Sequence, residues 1–374
     1  MFSVDNLNGE DNLVGIQGRL EGVIRKSFDK VEIPVSWLVL SLCMRRKALR
    51  AMSLEECERL AGKVGISPSE LQDALNFLHD HGLLLYYPEI EALKKIVICD
   101  IQVVFDSTSS LIMDTFTFDK DVPLYDKFKE KGQFSLQELK KAAGDETYGP
   151  FTLSSLIELL KHLNVLTPFQ RAALEQSAFP AAEQSLSQEY FMPCVLESAR
   201  ASDLEVRVSS SDPAPLMVRY DCGYMPTGVF PAMITHLVST RREWKMFEKC
   251  IRKNKVQFHV GKDQDMVTLM LHTRHFEIVV SQTWQSKSPS ALCSHVRDVI
   301  QSTLSTVTSH MNHHFNMSYK YGFVCPIHPG RSDHLCFLVE EGAGILECPE
   351  GEVILLEEDE RKATWFSHGV CVCA

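Results

Sequence analysis

Between Leu54 and Asp100 the chain alternates a helical period with sharp stops, and this stretch restricts its fold more than any other. Leu54, Cys57, Leu60, Ala61 and Val64 recur three or four residues apart and break off at Gly65. That is the apolar stripe and stop of an amphipathic helix. Ser67-Pro68-Ser69-Glu70 then restarts a helix: Ser67 can cap it, Pro68 suits its first turn and Glu70 completes a capping box. The second helix carries Leu71, Ala74, Leu75 and Leu78 on one face and ends at Gly82. Strands over residues 83–87 and 96–100 follow, separated by a polar turn. Helix, turn, helix and a two-stranded wing together predict a winged-helix unit.

A looser copy follows, with one helix opening over residues 134–139 and another over 154–163 that runs into 165–169. Residues 170–189 are rich in Ala, Ser, Gln and Glu and contain a proline, which predicts an exposed connector and a domain boundary. Beyond it, strand-like runs at 216–220, 256–260, 267–272 and 276–281 are joined by turn residues such as Gly261-Lys262-Asp263. A helix is expected over 227–238. Leu292, Val296, Val299, Ile300, Leu304, Val307 and Met311 mark a long amphipathic one. The predicted class is α+β, in four parts: a winged-helix domain over 15–170, a linker over 171–189, an α+β domain with an antiparallel sheet over 190–321, and a small β-rich tail over 322–374.

The net charge of −11 disfavours binding to a phosphate backbone, which needs a concentrated basic surface. The helix over 68–82 sharpens the point. It holds Glu70, Asp73 and Asp80 but no Lys or Arg, and the wing offers only Lys94 and Lys95. A winged helix used for packing and protein docking is therefore favoured over a DNA reader, which stays as the alternative reading. The basic run from Arg45 to Arg50 reads as a solvated helix end.

No G-x-x-x-x-G-K-[ST] loop occurs, so the chain is not expected to bind nucleotide in the P-loop manner. G-x-G-x-x-G after a strand, H-E-x-x-H, G-x-S-x-G and the kinase signatures are missing too, and no catalytic residue is assigned. The first residues lack a basic segment followed by an apolar one, and the apolar run at 33–43 is too short to span a bilayer. Twelve cysteines, mostly scattered singly, suggest reduced thiols and a cytoplasmic location.

Five of those cysteines lie in the tail, where Cys325-Pro326-Ile327-His328 resembles a metal knuckle. Cys336 and Cys348 are expected on neighbouring strands, which makes Cys325, His328, Cys336 and Cys348 the candidate ligands of a structural zinc, with His334 two residues from Cys336. Cys348-Pro349-Glu350-Gly351 has glycine where a second knuckle would carry Cys or His. The competing reading is a small sheet whose cysteines are ordinary core residues. Cys371-Val372-Cys373-Ala374 fits a prenylation signal loosely, but the upstream Glu357-Glu358-Asp359-Glu360 has the wrong sign for an anionic leaflet, so membrane attachment is not expected. His310, His313 and His314 read as a solvated helix end.

Several phrases resemble the COR region that follows the Roc GTPase domain in Roco proteins. Ile33-Pro34-Val35-Ser36-Trp37 resembles the V-P-x-S-W opening, and residues 75–87 (LNFLHDHGLLLYY) resemble the segment around fLhd.G.llyf. Asp100-Ile101-Gln102-Val103-Val104 resembles D-P-Q-W-L, with Ile and Val in place of Pro and Trp. Tyr190-Phe191-Met192-Pro193 and residues 224–230 (YMPTGVF) resemble the COR-B half, and the tail looks like the zinc-ribbon-like segment of some invertebrate Roco-type proteins. The resemblance covers about residues 15–320. It implies a COR-A half that packs on a Roc-type GTPase, in cis or in trans, and a COR-B half that forms a homodimer. Such a chain is a noncatalytic module coupling the nucleotide state of Roc to signalling. The implied Roc contact is Ile96, Val97, Ile98, Asp100, Gln102 and Val104.

Overall fold

The computed structural model describes residues 32–112, 129–138, 148–169, 189–204, 206, 208–221, 223–261, 265–281, 289–311, 318–328, 334–339, 344–356 and 359–366. The connector at 170–188, Lys262 and Asp263, His313 and His314, and the Cys371 end lie outside these residues.

The first region runs α1 (Val35–Arg46), β1 (Ala51–Ser53), α2 (Leu54–Lys63), α3 (Pro68–Asp80), β2 (Leu85–Tyr86), β3 (Ile96–Ile98) and α4 (Gln102–Ile112). Both cap signals operate. The Ser53 N–H donates to Glu56 at 3.2 Å while the Glu56 N–H donates to the Ser53 hydroxyl at 3.2 Å. Glu70 accepts from the Ser67 N–H at 3.1 Å and from its hydroxyl at 2.8 Å, and these bonds hold its carboxyl below the ordinary range. Leu71, Ala74, Leu75 and Leu78 are the buried face of α3, as their spacing requires. Leu71, Leu75 and Leu78 meet Leu40 and Met44 of α1, Cys57 and Leu60 of α2, and Val97 of β3 in one cluster. The three strands form an antiparallel sheet in the order β1–β3–β2.

A second sheet, β4 (Gln133–Ser135), β6 (Glu189–Phe191) and β5 (Thr167–Phe169), places β6 in the middle beside helix α5 (Leu153–His162). Phe134 therefore sits on a strand and not at a helix start: it pairs with Tyr190, a partner more than fifty residues away that no local period reveals. Ser135 then caps a turn of helix, its N–H donating to Glu138 at 2.6 Å.

The largest unit is a nine-stranded antiparallel sheet. It comprises β7 (Leu216–Tyr220), β8 (Trp244–Met246), β9 (Lys255–Val260), β10 (Asp265–Leu271), β11 (Phe276–Ser281), β12 (Tyr319–Val324), β13 (Leu335–Leu338), β14 (Ile345–Glu347) and β15 (Val353–Leu355). Their order is β15–β14–β13–β12–β7–β11–β10–β9–β8. Helices α6 (Val229–Thr240) and α7 (Pro289–Met311) share its core, through Phe230, Met233 and Leu237 on one and Val296, Ile300 and Leu304 on the other. Strand β9 shows why a period of two was legible: Val256, Phe258 and Val260 are buried while Lys255, Gln257 and His259 are half-exposed. Strand β12 spans the 321/322 junction, so residues of the tail continue the sheet of the preceding segment. The short helix α8 (Glu360–Ala363) leads to Trp365, which is fully buried and donates its indole N–H to the Ala214 carbonyl at 2.7 Å. No helix among the described residues is long and apolar enough to cross a membrane.

Leu75 is fully buried at the centre of the first cluster. Leu75→Ala is expected to lower the unfolding free energy by about 2–5 kcal/mol, read from chemical denaturation. A loss under about 1 kcal/mol would mean that α3 is not seated on α1 and β3 as described.

Candidate metal centre

Four side chains from three strand ends converge beyond the edge of β12, β13 and β14. The β12–β13 hairpin pairs Phe323 with Cys336 and Val324 with Leu335, and the Cys325 N–H donates to the His334 carbonyl at 2.9 Å. Cys325 and His334 thus face each other where the hairpin opens. His328 follows Cys325 by three residues, which brings its ring back over the thiol. Cys348 lies just past β14, in a turn closed by a bond from the Gly351 N–H to the Cys348 carbonyl at 2.8 Å. Gly351 has φ 87°, so the glycine that spoils a second knuckle in the sequence is what lets this turn close.

The separations are those of a coordination shell. The Cys325 and Cys348 sulfurs are 3.8 Å apart. His328 Nδ1 lies 3.3 Å from Cys325 Sγ and 3.7 Å from Cys348 Sγ, and His334 Nε2 lies 3.2 Å from Cys348 Sγ. The four ligand atoms all fall within 4.8 Å of one another. A tetrahedron with metal–sulfur bonds of about 2.3 Å and metal–nitrogen bonds of about 2.0–2.1 Å has edges of about 3.8 Å between sulfurs and about 3.6 Å between sulfur and nitrogen. The donor set and its spacing therefore fit a tetrahedral metal ion.

Electrostatics agree with that geometry. Burial pushes the Cys325 thiol up, but hydrogen bonds from His328, Cys336 and the backbone N–H groups of Ile327 and His328 outweigh it and bring the thiol down to about 7. The bond to Cys325 raises His328 above its ordinary value. A buried thiol with no such partners behaves differently: desolvation, with Glu58 adding to it, takes Cys57 up to about 12. His328 is also oriented from behind, its Nε2 lying 2.9 Å from a Glu350 carboxylate oxygen. A carboxylate on the far nitrogen of a ligating imidazole fixes the tautomer and makes the ring a better donor.

Of the four expected ligands, Cys325, His328 and Cys348 belong to the group whose ligand atoms lie together, and His334 completes that group, while Cys336 touches the Cys325 and Cys348 thiols from beside it. Cys336 stands one pair further into the hairpin, opposite Phe323, and is fully buried. Desolvation, then contact with the Cys325 and Cys348 thiols, pushes its own thiol up. Glu350 went unread in the sequence, where only the missing Cys or His of its turn was noticed.

The implied Roc-facing residues separate in the same way. Ile96, Val97 and Ile98 form the central strand β3 and are buried, so their side chains are core and not a docking face. Asp100 and Gln102 are exposed and Val104 is half-buried. The Asp100 carboxylate accepts the Gln102 N–H at 3.0 Å at the start of α4. On that helix Phe105 is 61% exposed, an apolar group the sequence reading passed over.

Glu350→Gln is expected to weaken metal binding by about 10–100-fold, measured by chelator competition, with the fold unchanged. Cys336→Ser is expected to leave metal stoichiometry intact. Loss of the metal with Cys336→Ser, and not with His334→Ala, would reverse the assignment of the fourth ligand.

Residues 34–196 match the family model described as C-terminal of Roc, COR-A domain. No curated protein matches the chain. Among solved structures the chain is similar to that of Methanosarcina barkeri Roco2 RocCORdC bound to GDP, at 13% identity and a TM-score of 0.36, over 50% of this chain and 52% of that one. The chain thus spans about half the length of that relative, and the likeness is too slight to bear on fold or function. The family match stands on the same stretch as the two cap boxes and the β1–β3–β2 sheet: over residues 34–196 the chain is similar to the COR-A domain that lies C-terminal of Roc.

Proposed function

We propose that this chain is a noncatalytic regulatory module: its COR-A part docks on a Roc-type GTPase domain, in cis or in trans, and its remaining sheet forms a homodimer and holds a structural zinc. The observation that carries the reading is the COR-A match over residues 34–196, a domain described as lying C-terminal of Roc. The element order α1, β1, α2, α3, β2, β3 with sheet order β1–β3–β2 supports a winged-helix reading of its first half. The acidic Glu70, Asp73 and Asp80 on α3 count against the nucleic-acid alternative. We place the COR-A-like unit over 34–196, where β6 pairs with β4 and β5, and a COR-B-like unit after it, with the tail strands as an extension of its sheet.

The docking face is the start of α4. Gln102 and Phe105 lie three residues apart and so share one side of that helix. An exposed aromatic beside polar groups is the composition of an interface anchor. Docking couples to nucleotide state only if Roc in its two states presents this face with different affinity. A chain acting this way works in the cytoplasm, where Roc-type GTPases find their nucleotides.

Calorimetry of the chain against a Roc-type GTPase domain is expected to give affinities that differ at least about fivefold between the GDP and GTP-analogue states. Phe105→Ala with Gln102→Arg is expected to weaken both by at least about tenfold. Equal affinity in the two states would leave a scaffold without coupling, and no binding would remove the reading. Light scattering should give twice 42.3 kDa, and metal analysis about one zinc per chain.

A further inference from the structure

The end of α1 and the outer side of α2 border a groove of about 410 Å³ lined by Lys47, Leu49, Met52, Glu56, Arg59, Leu60 and Lys63. Its floor is apolar: Met52 and Leu60 are buried and Leu49 is half-buried. Its rim carries Lys47, Arg59 and Lys63, all exposed. None of the three is ion-paired with a carboxylate among the described residues. In a chain of net charge −11 this is an unusual concentration of one sign. The only acidic lining residue, Glu56, is already engaged, accepting the Ser53 N–H at 3.2 Å at the start of α2. Arg59 spends one donor on the Glu55 carbonyl at 3.4 Å, and its guanidinium keeps others.

We propose that this groove docks an acidic segment of a partner protein that also carries an aliphatic side chain. The aliphatic group would rest on Leu49, Met52 and Leu60, and carboxylates on either side would meet Lys47, Arg59 and Lys63. The charge pattern selects this occupant. A small inorganic anion would gain only screened contacts from long, exposed side chains and nothing from the apolar floor. A segment that brings both groups buries apolar area and desolvates its ion pairs at once. A nucleic-acid strand has charge but no aliphatic anchor for the apolar floor. Arg50, next to the lining Leu49, pairs with Asp106 of α4 at 3.9 Å, so the groove adjoins the start of α4 and the acidic peptide is read without a Roc domain present.

The test uses the full chain and a fluorescently labelled peptide of repeating Leu-Glu-Glu, with Leu-Gln-Gln as its neutral control, read by anisotropy. The acidic peptide is expected to bind at least about tenfold more tightly than the neutral one. Arg59→Glu with Lys63→Glu is expected to remove at least about tenfold of that affinity. Arg242→Glu with Arg274→Glu makes the same change in net charge elsewhere and is expected to leave binding within about twofold. Lys47→Gln with Lys63→Gln repeats the loss in a milder variant if the reversals lower the melting temperature. Binding that responds equally to both double reversals would mean a diffuse charge effect and overturn the proposal. So would tighter binding of inorganic phosphate or of a short DNA duplex at the same residues, or no binding of the acidic peptide.

Discussion

The antiparallel pairing of Tyr319–Gly322 with Met217–Tyr220 is the interaction on which the last part of the molecule depends. It sets β12 against β7 near the middle of the nine-stranded sheet, and β13, β14 and β15 then add outward one by one. Gly322 is what allows this. It pairs with Met217 on one side and Phe337 on the other, and a Cβ there would run into the Cys336 carbonyl oxygen and the Phe337 ring. With no side chain at 322 the hairpin closes tightly enough for the Cys325 N–H to reach His334. The candidate metal centre is therefore built on the end of a wide sheet, where strand register, and not loop conformation, sets the ligand positions.

That dependence explains what the sequence could and could not disclose. Helices α2 and α3 were legible because their caps, stripes and stops lie within a few residues of one another: Ser53 with Glu56, Ser67 with Glu70, Leu71 with Leu75 and Leu78. Phe134 was misread because its strand exists only by pairing with Tyr190. The metal ligands show the same limit within one motif. Cys325 and His328, three residues apart, announce themselves. His334 and Cys336 sit two apart and so face the same side of a strand, and their spacing alone does not say which of them completes the group with Cys325, His328 and Cys348. For residues 96–98 a resemblance in sequence does not say which side of a strand is covered: β3 is flanked by β1 and β2, and its side chains are buried.

Two kinds of constraint divide the chain. The COR-A part is held by apolar packing of helices on a small sheet and leaves polar and aromatic groups of α4, and a basic groove beside α2, facing outward. The later sheet is held by long-range strand pairing, by the return of Trp365 to Ala214, and, in our proposal, by zinc. Such a division suits a regulatory module. In our proposal the docking surfaces lie on one part, and the paired strands of the other form the base they are carried on.

The central claim is that a metal ion with two sulfur and two nitrogen ligands closes the end of the nine-stranded sheet. X-ray absorption at the zinc edge of the purified full chain tests it most directly. The account predicts two sulfurs at about 2.3 Å and two imidazole nitrogens at about 2.0–2.1 Å. A shell of three sulfurs and one nitrogen would put Cys336 in place of His334, and a shell of oxygens alone would mean that the four side chains do not hold the ion at all.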